Sequence, residues 1–320
     1  MKLTTSVTIP KSDVNLSHQE PILFVGSCFA QNIGEKLLDH KFDVTINPNG
    51  IIYNPISLAE GLKRVINNQS YLEKELIQHN EKWISFNHHG SFSSFDKKEC
   101  LDQINESLKT ANNKLKAVKT IFITLGSSWV YEYPEFGIVA NCHKIPNNQF
   151  TKRLLSVKEI INSFETIKGE LKDFNVVFTV SPVRHVKDGL HENNLSKSTL
   201  HLAVNNLVEQ NTNYHYFPAY ELVMDELRDY RFYKNDLVHP TEMAVNYVWE
   251  KFGECYFNEA TKQLNEQIQQ IKSAVNHKPI NFDSEKHQQF IAKQIQLMGE
   301  LILSNSFLDF KEEKAALENN

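Results

Sequence analysis

Short apolar runs alternate with helix-like stretches along the first two thirds of the chain. Residues 21–25, 120–125 and 175–180 are almost continuously apolar, which is typical of strands buried on both faces of a parallel sheet. The stretches 30–40, 101–118 and 157–172 have the character of helices. Strands and helices in alternation predict an α/β fold, in which helices cover a central parallel sheet.

The pattern changes after about residue 257. Residues 259–275 and 283–308 are rich in Gln, Glu and Lys, with apolar residues three and four positions apart, which predicts two amphipathic helices. We therefore expect one domain over residues 1–257 and a helical extension over residues 258–320. The two helices either pack on their own domain or form the interface of a homo-oligomer, and residues 311–320 are expected to fray.

Charge and hydropathy argue against two classes of partner. The chain has 34 Lys and Arg against 39 Asp and Glu, a net charge of −5, whereas nucleic acids and anionic membranes favour a basic face. No stretch approaches the roughly 20 apolar residues of a membrane span. Because no apolar segment follows the lysine at position 2, we expect no signal peptide and a cytoplasmic protein.

Cysteine spacing and motifs give no sign of a cofactor. The four cysteines are far apart and form no CxxC pair, so we expect free thiols rather than disulfides. No phosphate-binding glycine motif and no metal-ligand spacing is present, so neither a nucleotide cofactor nor a metal is expected.

A candidate nucleophile follows the first apolar run, where Gly26, Ser27 and Cys28 lead into a helix. Ligands of α/β sheets bind outside the carboxyl ends of the strands. The N-terminus of a helix supplies N–H donors and lowers the pKa of a thiol there. The alternative is that Ser27 only caps the helix and Cys28 is a packing residue.

A candidate base lies near the end of the predicted α/β domain. Asp236 stands three residues before His239, directly ahead of a helix-like segment. Such a carboxylate can accept from the imidazole Nδ1–H and leave Nε2 free to take a proton from a nucleophile. The alternative is a purely structural histidine.

Residues 26–30, Gly-Ser-Cys-Phe-Ala, resemble the motif that names the GSCFA family, an offshoot of the SGNH (GDSL-like) hydrolase superfamily. Segments 125–131, 141–144 and 181–185 also resemble family segments, so the resemblance covers roughly residues 1–260. It implies a three-layer α/β/α sandwich of the SGNH or flavodoxin-like kind. It also implies an ester hydrolase or O-acyltransferase that acts through a covalent acyl-enzyme on a small-molecule or carbohydrate ester.

The resemblance assigns catalytic roles with one alternative left open. The superfamily's first sequence block reads Gly-Asp-Ser, with the serine as nucleophile. Aligning the glycine of this block with Gly26 makes Cys28 the nucleophile, whereas an alignment shifted by one residue makes it Ser27. The last block falls on Asp236 and His239, as orienting carboxylate and general base.

The oxyanion donors implied by the resemblance are less complete. In the superfamily, one glycine donates its N–H to the oxyanion, and Gly50 corresponds to that glycine. A second superfamily block contains a glycine and an asparagine, and here it begins at Gly126. Ser128 stands at the asparagine position, so the side-chain donor is absent, replaced by this hydroxyl, or supplied by Asn141. Loss of one such donor typically lowers the rate about 10²–10³-fold. A catalytically weak or inactive binding protein is therefore the alternative function.

A polar connection follows the third predicted strand. Arg184 and His185 stand at its carboxyl end, where they would hold anionic or hydroxyl groups of a substrate, or simply lie in a solvated loop. His191, Asn193 and Lys197 continue this connection and suggest a lid over the site.

Overall fold

Residues 4–277 and 284–318 are described by a computed structural model, and strands in this part of the chain form three sheets. In chain order the strands are β1 (Ile22–Gly26), β2 (Val44–Ile46), β3 (Leu76–His79), β4 (Lys82–Ser85), β5 (Thr120–Leu125), β6 (Trp129–Tyr133), β7 (Gly137–Val139), β8 (Thr151–Leu154), β9 (Asn175–Val180) and β10 (Tyr214–Tyr216). A parallel sheet with the order β10-β9-β5-β1-β2 forms the centre, while β3-β4 and β7-β6-β8 form small antiparallel sheets.

Helices occupy most of the remaining chain. The α-helices are α1 (Cys28–Asp39), α2 (Pro55–Ile66), α3 (Lys97–Leu115), α4 (Val157–Glu165), α5 (Lys168–Leu171), α6 (Leu190–Gln210), α7 (Ala219–Glu221), α8 (Glu242–Tyr256), α9 (Glu259–Val275), α10 (Glu285–Ser304) and α11 (Lys311–Glu318). A π-helical turn over Leu222–Leu227 continues α7, and short 3₁₀ turns cover Glu73–Glu75, Gly90–Phe92, Asn147–Gln149, Val186–Asp188 and Tyr230–Phe232.

The alternation of side chains along β1 divides the core into two layers. Leu23 and Val25 are buried among apolar residues of α2, α3, α4 and α6. Ile22 and Phe24 are buried on the opposite face, against α1 and α8. Both faces of the parallel sheet are therefore covered by helices, which confirms the predicted α/β fold with a central parallel sheet. The three central strands lie where the apolar runs predicted them.

Several elements differ from the prediction. The helix predicted over residues 157–172 is two helices, α4 and α5, because the chain turns at Thr166 and Ile167. The edge strands β2 and β10 were not predicted, since each has only three residues and is half-buried. The expected fraying at residues 311–320 is wrong for the described part, where α11 is ordered by burial of Leu317; residues 319–320 lie outside the described ranges.

The helices α9, α10 and α11 share a separate apolar cluster that includes Ile268, Met298, Leu308 and Leu317. Ion pairs join this cluster to the sheet domain: Lys272 lies 3.0 Å from Asp39, and Lys41 lies 2.5 Å from Glu313. The C-terminal helices thus pack on their own domain, and a homo-oligomer formed through them stays a prediction. The predicted start of the second helix at residue 283 falls outside the described residues.

The described residues contain no helix that combines the length and the apolar character needed to cross a membrane.

The last residue of β1, Gly26, lies so close to the backbone of β5 that no side chain fits there. Its φ angle is +133°, and a Cβ atom there would lie 2.2 Å from the carbonyl oxygen of Thr124. Thr124 is its register partner on β5, so the obstacle is backbone that cannot rotate away. Only glycine fits this end of the strand.

Replacing Gly26 by alanine should lower the free energy of unfolding by at least about 2 kcal/mol, because the variant adds both a backbone clash and an unfavourable φ angle. Chemical denaturation would measure the loss. Gly169 in α5 has open space around its Cα, so the Gly169→Ala control should leave the stability unchanged or raise it by up to about 1 kcal/mol. Equal stability of the two variants would contradict this account.

Candidate active site

Cys28 is the first residue of α1, and Ser27 is its N-cap. The Ser27 Oγ accepts a hydrogen bond from the N–H of Phe29 at 3.2 Å, and only 1% of Ser27 is exposed. Cys28 is half-buried and lines a cavity of about 690 Å³. Ser27, the alternative nucleophile, is not among the residues of this cavity and is engaged as a helix cap.

The second half of the site is a short loop that carries Asp236 and His239. One carboxylate oxygen of Asp236 accepts from the N–H groups of Val238 and His239, each at 2.9 Å. The other lies 2.8 Å from Nδ1 of His239. The two backbone donors, followed by the imidazole, lower the pKa of Asp236 to about 2. Asp236 therefore stays ionised above that pH, keeps Nδ1 as a donor and leaves Nε2 as the acceptor.

Cys28 lines the same cavity as Asp236 and His239, although it lies more than 200 residues before them in sequence. Part of its wall is apolar, and part is polar. The apolar part consists of Ile51, Val130, Val139, Ala140, Val183, Val186 and Val238. The polar part includes Asn141, Arg184, His185, Lys187 and Asp188. A thiol, an oriented imidazole and an apolar wall thus surround one space.

Arg184 holds the histidine loop. Its Nη2 donates to the carbonyl oxygen of Leu237 at 2.9 Å, and its guanidinium lies 5.1 Å above the ring of Tyr233. Leu237 has a φ angle of +57°, which is unusual for a branched residue and is fixed by such contacts. Arg184 lines the cavity, as expected for a substrate-binding residue, but one of its donors is already used on the loop.

His185 also lines the cavity, and its backbone N–H donates to Oδ1 of Asn193 at 3.0 Å. Its ring meets the ring of Tyr53 edge-on, with 5.3 Å between centroids. Burial, followed by the positive charge of Lys197, lowers the pKa of His185 to about 4. The imidazole is therefore neutral at pH 7 and can hydrogen-bond a hydroxyl group, but it adds no charge to the cavity.

The two glycines expected near the oxyanion are not placed for that role. The N–H of Gly50 donates to the carbonyl oxygen of Asn47 at 2.7 Å, and the N–H of Gly126 donates to that of Tyr53 at 2.9 Å. Neither glycine is among the residues of the cavity. Both backbone donors are already used, so the geometry does not support the expected role.

The two expected side-chain donors differ in placement. Ser128 is completely buried, and its Oγ donates to the carbonyl oxygen of Ser196 at 3.0 Å, so this hydroxyl is directed away from the cavity. Asn141 lines the cavity, and its Oδ1 accepts from the N–H of His143 at 2.8 Å. That bond fixes the amide of Asn141 and leaves its nitrogen to donate.

The polar connection predicted as a lid is the first part of a long helix, α6. Asn193, Ser196 and Lys197 lie on its buried face, and Lys197 is only 2% exposed. The lid interpretation is therefore wrong. A signal was present in the sequence, because Lys197 precedes Leu200, Val204 and Leu207 at helical spacing.

Several groups act on the Cys28 thiol. Burial raises its pKa, while the N–H groups at the start of α1 and the positive charges of Lys197 and Lys234 oppose that rise. The N–H of Cys28 itself has no acceptor within the helix, as is general for a first turn. It is therefore a donor for an anion formed beside the sulfur.

Within the described ranges, no group of three or more His, Cys, Asp or Glu side chains could hold a metal ion.

Comparison with protein families places the chain. A family model described as "GSCFA family" matches residues 21–252. The chain belongs to the GSCFA family. A second model, "GSCFA domain protein, C-terminal domain", matches residues 268–320, which begin inside α9; the predicted boundary at residue 257 stays a prediction. None of the curated proteins compared with the chain matches it.

The five residues that name the GSCFA family each meet a distinct physical requirement here. Gly26 passes β5 without a side chain, and Ser27 caps α1. Cys28 lines the cavity. Phe29 and Ala30 are 2% and 1% exposed, and they hold the first turn of α1 in the core. Four of the five therefore serve to position the cysteine.

Replacing Arg184 by glutamine should loosen the histidine loop, because the charge-assisted hydrogen bond to Leu237 is lost. We expect amide hydrogen exchange in residues 234–239 to accelerate about 10–100-fold, as measured by mass spectrometry. Lys187→Gln, which removes a neighbouring exposed cation, is the control and should leave these amides unchanged. Unchanged exchange in Arg184→Gln would show that the loop is held by other contacts.

Proposed function

We propose that this GSCFA protein is an ester hydrolase or O-acyltransferase of the SGNH type that forms a thioester with its substrate at Cys28. The observation that carries the proposal is the shared cavity of Cys28 and the hydrogen-bonded pair Asp236–His239. A nucleophile, a base and a carboxylate that orients the base are the minimal set for covalent acyl transfer.

The mechanism assigns one role to each group. Nε2 of His239 takes the thiol proton of Cys28, and the sulfur attacks the acyl carbonyl carbon. The N–H of Cys28 and the amide of Asn141 stabilise the oxyanion. The imidazolium then protonates the departing alcohol, which leaves a thioester. Water or a second hydroxyl group, deprotonated by His239, attacks the thioester and restores the thiol.

The cavity wall supports an ester with an apolar acyl part. Its apolar side chains would take the acyl chain, and the polar rim would take the alcohol or the acceptor hydroxyl. Small-molecule and carbohydrate esters both meet this description. A free thiol as nucleophile also fits a reducing, cytoplasmic environment.

Turnover of p-nitrophenyl acetate and butyrate tests the proposal. Cys28→Ala and His239→Ala should each lower kcat/KM at least about 10³-fold, and Asp236→Asn about 10²–10⁴-fold, because the imidazole tautomer is then no longer fixed. Mass spectrometry after rapid acid quenching should show the acyl group on Cys28.

Ser27→Ala is the matched control, since it removes the neighbouring hydroxyl. It should retain turnover and lose only about 1 kcal/mol of stability with the helix cap. Turnover that survives Cys28→Ala but not Ser27→Ala would instead make Ser27 the nucleophile. Turnover that survives His239→Ala would remove the proposed base.

A second candidate function is a binding protein with the same fold and little or no turnover. It is favoured by the donors of Gly50 and Ser128, which are engaged within the protein. Under this function the cavity binds an ester or its parent alcohol, and Cys28 acquires no acyl group.

A further inference from the structure

A second cavity adjoins the candidate active site. It has a volume of about 430 Å³ and is lined by the β3–β4 hairpin, the turn after β4 and the loop after β7. Two of its lining residues, His89 and Asn141, also line the cavity that holds Cys28. The two spaces therefore meet at these residues, and together they suit one elongated ligand.

The charged residues that line the second cavity are all basic. Lys82 and Lys144 contribute ammonium groups, and no Asp or Glu is among the described residues of its lining. Neither lysine forms an ion pair with a carboxylate of the described residues, and Lys82 lies 5.0 Å above the ring of Phe95 instead. Glu81, next to Lys82, is exposed and lies outside the lining. A cleft lined by charges of one sign concentrates counter-ions, so this cavity favours an anion.

The elements that carry the two lysines are held together by contacts of neutral groups. Lys82 begins β4, and Ser85 ends it. On the loop of Lys144, Nε2 of His143 donates to the carbonyl oxygen of Ser85 at 2.7 Å. The N–H of His143 donates to Oδ1 of Asn141 at 2.8 Å. Burial lowers the pKa of His143, so this ring is neutral at pH 7 and holds the loop without adding charge.

His89 brings a hydrogen-bond donor to the place where the two cavities meet. Its Nδ1 accepts from the N–H of Ser91 at 3.2 Å, so Nε2 carries the hydrogen in the neutral ring. The N–H of His89 donates to the carbonyl oxygen of Asn49 at 3.0 Å. Gly50 allows this close packing, because a Cβ atom there would lie 2.2 Å from the Cβ of His89. Gly50 thus serves to place the ring of His89 in the shared wall.

We propose that the second cavity binds a phosphate group, carried by the alcohol part of the ester or by the acceptor alcohol. A phosphate monoester has nearly two negative charges at pH 7, which matches two lysines better than the single charge of a carboxylate does. Lys82 and Lys144 pair with its oxygens, and Nε2–H of His89 donates where the alcohol passes from one cavity to the other. The ester part of this ligand rests on the proposed function, whereas binding of the phosphate does not.

Isothermal titration calorimetry with inorganic phosphate, at constant ionic strength in a chloride buffer, tests the anion site without a substrate. Lys82→Gln and Lys144→Gln should each weaken phosphate binding about three- to tenfold, because each removes one partly screened charge-assisted contact. The double variant should lose most of the binding. Both side chains are exposed, so these variants should fold. Absence of phosphate binding to the unaltered protein, or equal affinity of the double variant, would overturn the proposal.

Lys187→Gln is the matched control for the position of the anion. Lys187 is exposed like the other two lysines, but it lines only the cavity of Cys28. Its substitution should change the affinity for inorganic phosphate less than about twofold. Binding that is lost in Lys187→Gln and kept in the double variant would place the anion in the first cavity, and the proposal would be wrong.

Kinetics then test whether the phosphate belongs to the substrate. The acetyl esters of a hexose phosphate and of the free hexose differ only in that group. The unaltered protein should show a kcat/KM at least about tenfold higher for the phosphorylated ester, mainly through a lower KM, and this ratio should approach one in the double variant. A ratio of one in the unaltered protein would overturn the assignment to the substrate. Lysine-dependent phosphate binding without turnover of either ester would instead reject the proposed function and leave the anion site standing.

Discussion

The close contact between the backbones of β1 and β5 at Gly26 is the constraint on which the rest of the site depends. The N–H of Gly26 donates to Oδ1 of Asn47 at 2.8 Å, and its carbonyl oxygen accepts from Ile52 at 3.0 Å. The end of β1 is therefore joined to the loop after β2 by hydrogen bonds on both sides of Gly26. Cys28 is held at the rim of the cavity by this framework and by the capped helix, rather than by contacts of its own side chain.

The two halves of the candidate site are held by different means. Cys28 follows a central strand directly, whereas the loop of Asp236 and His239 lies outside the sheet. It is closed by its own backbone hydrogen bonds, such as the one from Lys234 to His239, and by the hydrogen bond from Arg184 to Leu237. The side chains of this pair are about half exposed, at 50% and 46%. Regions with few buried contacts open more easily than a sheet core. In the proposed mechanism, the nucleophile is thus the rigid partner and the base is the more adaptable one.

The sequence predicted the parts of the fold in which burial is uniform. The central strands were evident because both of their faces are apolar, and the motif at residues 26–30 located the candidate nucleophile. Helix α6 was missed because its buried face is polar beside the site, with Ser196 and Lys197 where apolar residues are usual. To assign the oxyanion donors, one must know which backbone N–H groups are free. The N–H of Gly50 is not free because it closes a turn with Asn47, and the spacing of residues in the sequence does not reveal such a turn.

The arrangement of donors also gives a physical reason for a cysteine at this position. With Gly50 and Ser128 engaged elsewhere, the positive potential of the site is concentrated on residue 28, through the N-terminus of α1 and Lys197. Burial raises the pKa of the Cys28 thiol, but a thiol still gives up its proton to an imidazole more readily than a serine hydroxyl does. A thiol is also a better leaving group than an alcohol, because its pKa is lower. In the proposed mechanism, a cysteine at this position would therefore favour release of the acyl group to an acceptor hydroxyl.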